Sequence, residues 1–147
     1  MLKRLLQTNN EATLLVARLA LAIVMFPHGA QKLLGWFGGG GFVATVSGFQ
    51  RGGIPAVLAV LVIAAESLGS LSLALGFLSR FCAFGIGMVM VGAVLMVHYQ
   101  YGFFMNWLGN QKGEGFEYHL LALGLVLVVL IGGGGRGSLD RLLTEKV

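Results

Sequence analysis

IPAVLAVLVIAAESLGSLSLALGF, residues 54–77, decides how this chain is read. Apart from Glu66, every residue in it is apolar or small. Its length suffices for a bilayer crossing, which takes about 20 apolar residues. A carboxylate at its centre costs roughly 2.5–3.5 kcal/mol on insertion scales, so Glu66 calls for a partner within protein or trapped water. The rest of the chain agrees with this reading. Of its 147 residues, 56% are hydrophobic and 11% charged, against about 25% charged in soluble domains. The mean hydropathy is +0.85. The expectation is an all-α integral membrane protein of one domain, residues 1–147, built as an antiparallel four-helix transmembrane bundle.

The four expected spans cover residues 12–34, 54–77, 80–99 and 116–132, the last being the shortest. Asn9 or Asn10 is placed to cap the first span, and Gly35 with the glycines at 38–41 ends it. Pro55 stands at the start of the second, where its missing N–H does no harm. A link of a few residues, Gly76 to Arg80, makes spans two and three a tight hairpin. Ser138 can cap a short C-terminal helix over residues 138–145, whose Leu139, Leu142 and Leu143 form an apolar side suited to the membrane surface. Lys3 and Arg4 before an apolar run suggest a signal peptide. The run is span-length, however, and no small-x-small site closes it, so a retained first helix is expected.

Lysine and arginine fall unevenly on the two sides. Lys3, Arg4, Arg80, Arg136, Arg141 and Lys146 share one side, with Arg80 as a topology anchor. Arg51, Lys112 and Lys32 share the other. The positive-inside rule puts both termini in the cytoplasm and the loops 35–53 and 100–115 outside, in what is expected to be a bacterial inner membrane. Trp36 and Trp107 then sit at the outer interface, as aromatic anchors do.

This topology sorts the ionisable residues into two layers. His28, Lys32, His98, Glu117 and His119 reach the outer ends of three spans, with Gln31, Tyr99, Tyr101 and Tyr118 near them. His28 and Lys32 share one helix face. Histidine and glutamate exchange protons at ordinary pH, and lysine stabilises a developing oxyanion, so a quinone headgroup suits such a layer. His28, Lys32, Glu117 and His119 are the candidate catalytic residues, and His28, Lys32 and His98 the candidate quinone contacts. The plainer alternative is that these groups simply face water at helix ends. The inner layer holds Arg18 and Glu66, expected to pair with each other either as a structural ion pair or as a proton relay.

Several chemistries are excluded or disfavoured. The single cysteine, Cys82, permits no intramolecular disulfide, CxxC pair or multi-cysteine zinc site. The three histidines have no HxxxH spacing, and neither metal nor haem is expected. Gly135-Arg136-Gly137 completes no GxGxxG motif and follows a membrane helix. The net charge of +4 is explained by orientation in the bilayer, and no nucleic-acid partner is expected.

The ordered set of residues resembles the DoxX family of small four-span membrane proteins. Arg18, His28-Gly29, Lys32 and Gly35 match its first-span pattern; Glu66, Gly69, Gly76 and Arg80 match its second. Glu117 and the tail Gly133-Gly134-Gly135-Arg136-Gly137-Ser138-Leu139-Asp140 match its later features. The resemblance implies a subunit linked to quinol oxidase or thiosulfate:quinone oxidoreductase activity, other members being associated with redox and thiol-stress complexes. Three functions stay open: a quinone-interacting oxidoreductase subunit working with a membrane redox partner protein, a non-catalytic accessory or assembly subunit, and a small-molecule or proton transporter using Arg18 and Glu66. The lipid bilayer is the expected environment, and a homo-oligomer is left open.

Overall fold

The computed structural model describes residues 2–145, so Lys146 of the positive cluster lies outside the described residues. Among the described residues the secondary structure is entirely helical. A short α1 (Leu2–Leu6) precedes α2 (Ala12–Leu34). A single 3-10 turn, Trp36–Gly38, leads to α3 (Gly41–Arg51). Then come α4 (Ala56–Leu75) and α5 (Ser79–Ala93), which runs on through a π-helical turn, Val94–His98, and a 3-10 turn, Tyr99–Tyr101. After a loop follow α6 (Glu117–Gly132) and α7 (Leu139–Glu145).

Helices α2, α4, α5 and α6 form an antiparallel four-helix bundle in which each packs on the next and α2 closes on α6. Three of the four, Ala12–Leu34, Ala56–Leu75 and Ser79–Tyr101, are long and apolar enough to cross a membrane. The 16 residues of α6 rise about 24 Å, a little short of the hydrocarbon core. The interior is made by Leu21, Ala22, Met25, Leu73, Ile86, Val126 and Val129. The outside is apolar too: Val16, Ile23, Leu61, Leu68, Phe84, Met88, Leu121 and Ile131 all stand exposed. A helix apolar on every side belongs where the surroundings are also apolar, and a belt of this kind is a lipid-facing surface.

The helix ends refine the sequence reading. Glu11, not Asn9 or Asn10, holds the N-cap position of α2, and Asn9 instead donates to the Glu11 carboxylate. Pro55 caps α4, its carbonyl accepting from Leu58 and Ala59. Ser138 caps α7 by accepting from the Arg141 N–H at 3.2 Å. The segment 35–53, expected as a loop, contains α3, which packs on α2 and α4. Its 11 residues, with glycines at 41 and 48, are too few to register as a span in a hydropathy window.

The inner end is held by side chains that satisfy the orphan backbone groups of the helices. Arg18 is 2% exposed. Its guanidinium donates to Leu73 O at 2.7 Å, Ala74 O at 2.6 Å, Gly134 O at 2.7 Å and Arg136 O at 3.3 Å. It thereby caps the C-terminus of α4 and ties down the glycine-rich tail. A cation is favoured there by the helix dipole. Arg80 does the same for α6, donating to Leu130 O at 2.9 Å and Ile131 O at 2.8 Å, and it also reaches Gln7 O. Its role is therefore structural beyond the topology anchor expected. Asp140, 1% exposed, accepts from Leu78 N at 2.7 Å and Ser79 N at 2.8 Å and so caps the start of α5. Gly76, at φ 67°, leaves room for this cluster: a Cβ there would meet Ser138 and lie 3.1 Å from the Arg18 guanidinium carbon.

Candidate functional site

The site begins with a glycine. A Cβ on Gly29 would lie 2.5 Å from the carbonyl carbon and oxygen of Glu66, so at this point the backbones of α2 and α4 touch. Ser67 and Ser70 suit the contact, because each turns its hydroxyl back onto its own helix: Ser67 Oγ donates to Ile63 O at 2.6 Å and Ser70 Oγ to Glu66 O at 2.5 Å. The contact also sets the stagger of the two helices. Ten residues of α4, about 15 Å, precede Glu66, but only five residues of α2, about 7.5 Å, follow Gly29. The start of α4 therefore overhangs the end of α2, and α3 packs against both.

This stagger overturns the expected Arg18–Glu66 pair. Arg18 is level with Leu73 and Ala74, about 10 Å along α4 from Glu66. Glu66 is level with the outer end of α2 and pairs there with Lys32, Nζ to Oε2 at 2.5 Å. The Lys32 side chain leans toward the N-terminus of its helix, as helical side chains do, and so bends inward to the carboxylate. Glu66 is 5% exposed at the side chain and Lys32 25%, a pair with one end buried and the other at a rim.

Beside the pair lies a cavity of about 250 Å³. Glu66 and Lys32 form one side, His28 and Met25 another, and Met90, Ala93 and His98 from α5 and its π turn a third. Tyr118 and His119 enter from the first turn of α6. The His98 and His119 rings are 4.2 Å apart, and the Tyr118 ring stands edge-on to His119 at 5.2 Å. His98 Nδ1 lies 2.8 Å from Glu114 O. A carbonyl only accepts, so that nitrogen carries the proton and Nε2 of the neutral ring is a free acceptor. The π turn that brings His98 round is a departure often found at functional sites. His28 stands at the exposed side of the cavity, 6.4 Å from the Tyr118 ring. His119 is 5% exposed, yet its Nδ1 has no hydrogen-bond partner among the described residues, and neither has Tyr118 Oη.

The loop between Tyr101 and Glu117 covers the outer side and contributes Met105 and Glu114 to the lining. Glu117 holds that loop in place. Its Oε1 accepts from Met105 N at 2.9 Å and from the Trp107 indole N–H at 3.0 Å. Glu117, expected as a proton carrier, is not among the residues that line the cavity, and its Oε1 holds the covering loop. Of the sequence-predicted residues, His28, Lys32, His98 and His119 come together. Glu66 joins them from the supposed inner layer, while Arg18 and Glu117 stand apart. Glu114, Ala93 and the three methionines are additions from the structure, and Tyr118, expected only near the layer, joins the lining. Tyr118 had a signal, flanked as it is by Glu117 and His119 on the first turn of a span.

A model of the DoxX family matches residues 13–99, more than half the chain. The chain belongs to the DoxX family. No curated protein and no solved structure gives a match. In this DoxX protein the family match covers the part of the cavity built by His28, Lys32, Glu66, Met90, Ala93 and His98. The covering loop, Tyr118 and His119 follow it in sequence. The assembled cavity combines apolar thioether and methyl walls with an ion pair, two imidazoles in contact and a phenol hydroxyl. It can hold a flat, mostly apolar ring and offer hydrogen bonds at its edge.

Proposed function

We propose that this DoxX protein is a quinone-interacting membrane oxidoreductase subunit whose site is the cavity between α2, α5 and α6. The observation that carries the reading is the pair of buried polar atoms without partners, Tyr118 Oη and His119 Nδ1, on two residues that line a cavity of mixed polar and apolar walls. Buried polar groups are nearly always satisfied, and exceptions call for an explanation. A quinone headgroup fits the donor set: its ring suits Met25, Met90, Met105 and Ala93, and its carbonyls suit hydrogen-bond donors. When bound, a quinone supplies two-electron, two-proton redox chemistry, with the electrons passing to or from a membrane redox partner. Lys32 and Glu66 fix the electrostatic field on one side of the ring. His119, beside His98, holds a proton within reach of the cavity, and His98 leads toward the outer loop through Glu114. Binding of a short-chain quinone to detergent-purified protein tests this. Saturable one-to-one binding that weakens in Lys32→Ala is expected, and no saturable binding to the wild type would overturn the reading in favour of the accessory subunit.

We also propose that the end carrying α1, α7 and the Lys3, Arg4, Arg80, Arg136 and Arg141 cluster faces the cytoplasm of a bacterial inner membrane. Both termini share that end because α1 packs on α7. Single cysteines at Gly40, Asn110 and Glu145, in a Cys82→Ser background, are to be probed with an impermeant thiol reagent on intact cells. Labelling at 40 and 110 but not at 145 is expected, and the reverse pattern would invert the orientation.

A further inference from the structure

We infer that Tyr118 is the specificity-determining hydrogen-bond donor of the cavity, selecting a ligand that presents a carbonyl oxygen on a planar ring. This deepens the quinone reading and rests on it. The inference comes from accounting for every polar group that lines the cavity outside the open side, where His28 stands. Lys32 Nζ and Glu66 Oε2 are committed to each other at 2.5 Å. His98 gives its Nδ1 proton to Glu114 O, and the Glu114 carboxylate accepts from Asn106 N at 2.7 Å. Besides the free acceptor Nε2 of His98, Tyr118 Oη and His119 Nδ1 are left, both buried and without a partner among the described residues. Of these two, an imidazole nitrogen donates or accepts according to tautomer, whereas a neutral phenol brings a proton that must go to an acceptor. A ring that offers only hydrogen or methyl at that edge would leave the hydroxyl unpaired. A carbonyl would satisfy it, and this asymmetry makes hydrogen-bonding sites selective against analogues that lack the partner.

The hydroxyl is held in position and does not hold the fold together. The first turn of α6 is fastened by its neighbours: Glu117 N donates to Phe103 O at 2.9 Å, and the Glu117 carboxylate clamps Met105 and Trp107. The Tyr118 ring packs edge-on against His119. Tyr118→Phe keeps the ring and all of these contacts and removes only an unsatisfied oxygen. It is therefore expected to leave the thermal midpoint in detergent unchanged or raised, because a buried group without a partner costs stability in the folded state. A tyrosine kept for structure would behave in the opposite way.

The test compares two probes on two proteins. One probe is a short-chain benzoquinone; the other is the dimethyl ether of its quinol, which keeps the six-membered carbon ring in aromatic form and replaces each carbonyl by a weaker, methyl-shielded ether acceptor. For Tyr118→Phe, quinone affinity is expected to fall roughly three- to tenfold, the scale of one neutral hydrogen bond, with the ether unaffected. Wild-type protein that binds quinone, with Tyr118→Phe binding it equally well, would overturn the inference and leave the functional reading standing. Equal loss of both probes, or a lowered thermal midpoint, would also overturn it, since Tyr118 would then be shaping the cavity. Failure of the wild type to bind quinone would remove the functional reading and this inference together.

Discussion

Arg18→Met is expected to be the most damaging single substitution at the inner end of the bundle. The guanidinium is 2% exposed and donates to four carbonyls, two at the C-terminus of α4 and two in the tail. Methionine fills similar volume but donates nothing. Leu73 O keeps the Gly76 N–H, but Ala74 O and Gly134 O lose the Arg18 donor; at about 1–3 kcal/mol for each carbonyl left without a donor, a loss of about 4 kcal/mol is expected. In detergent this would lower the thermal midpoint by roughly 10 °C. Arg18→Lys should recover little of it, because one ammonium cannot span carbonyls that the planar fork reaches from both sides. A midpoint within about 2 °C of wild type for Arg18→Met would mean the tail is held by other contacts.

Breaking the Lys32–Glu66 pair is expected to have the second largest effect. Lys32→Met strands a carboxylate that is 5% exposed. Removing one partner of a buried pair costs about 3–5 kcal/mol, and the partial exposure of Lys32 places this case near 3 kcal/mol. The double change Lys32→Met/Glu66→Leu should recover much of the loss, with a coupling of about 1–3 kcal/mol. Arg18→Met and Glu66→Leu, by contrast, should add within about 0.5 kcal/mol, because the two side chains share no partner. Thermal or chemical denaturation of the three single and two double variants, in one detergent, decides this. Coupling between Arg18 and Glu66 with none between Lys32 and Glu66 would restore the pairing that the sequence alone suggests.

That reversal shows where the sequence stops being informative. Hydropathy located the helices because lipid requires apolar residues on every outward face, and those runs are local. The partners of Glu66 are not local. Counting depth separately along each span put Arg18 within reach, but the stagger of α2 on α4 is set by one backbone contact at Gly29. Nothing in the residues around Gly29 states that offset. The inward lean of Lys32 was available from helix geometry, and it favoured Glu66 once the offset was known. Glu117 and Glu114 pose the same problem on a smaller scale. Both are acidic and near the outer start of α6, and only the fold of the loop shows that Glu117 is spent on Met105 N and the Trp107 indole. Arg80 likewise has the pattern of a topology anchor, and its hydrogen bonds to the end of α6 depend on where that helix stops.

The central claim is that the space between α2, α5 and α6 is the ligand site, and filling it tests that claim most directly. Ala93 lines the cavity from the last turn of α5 and carries no chemistry of its own. Ala93→Phe would occupy that space and leave Lys32, Glu66, Tyr118 and His119 unchanged, with Ala93→Ser as the small control. The measurement is the affinity of a short-chain quinone for wild type and both variants, each first shown to be folded in the same detergent. Loss of saturable binding in Ala93→Phe with retention in Ala93→Ser is the predicted result. Undiminished quinone binding by a folded Ala93→Phe protein would contradict the account.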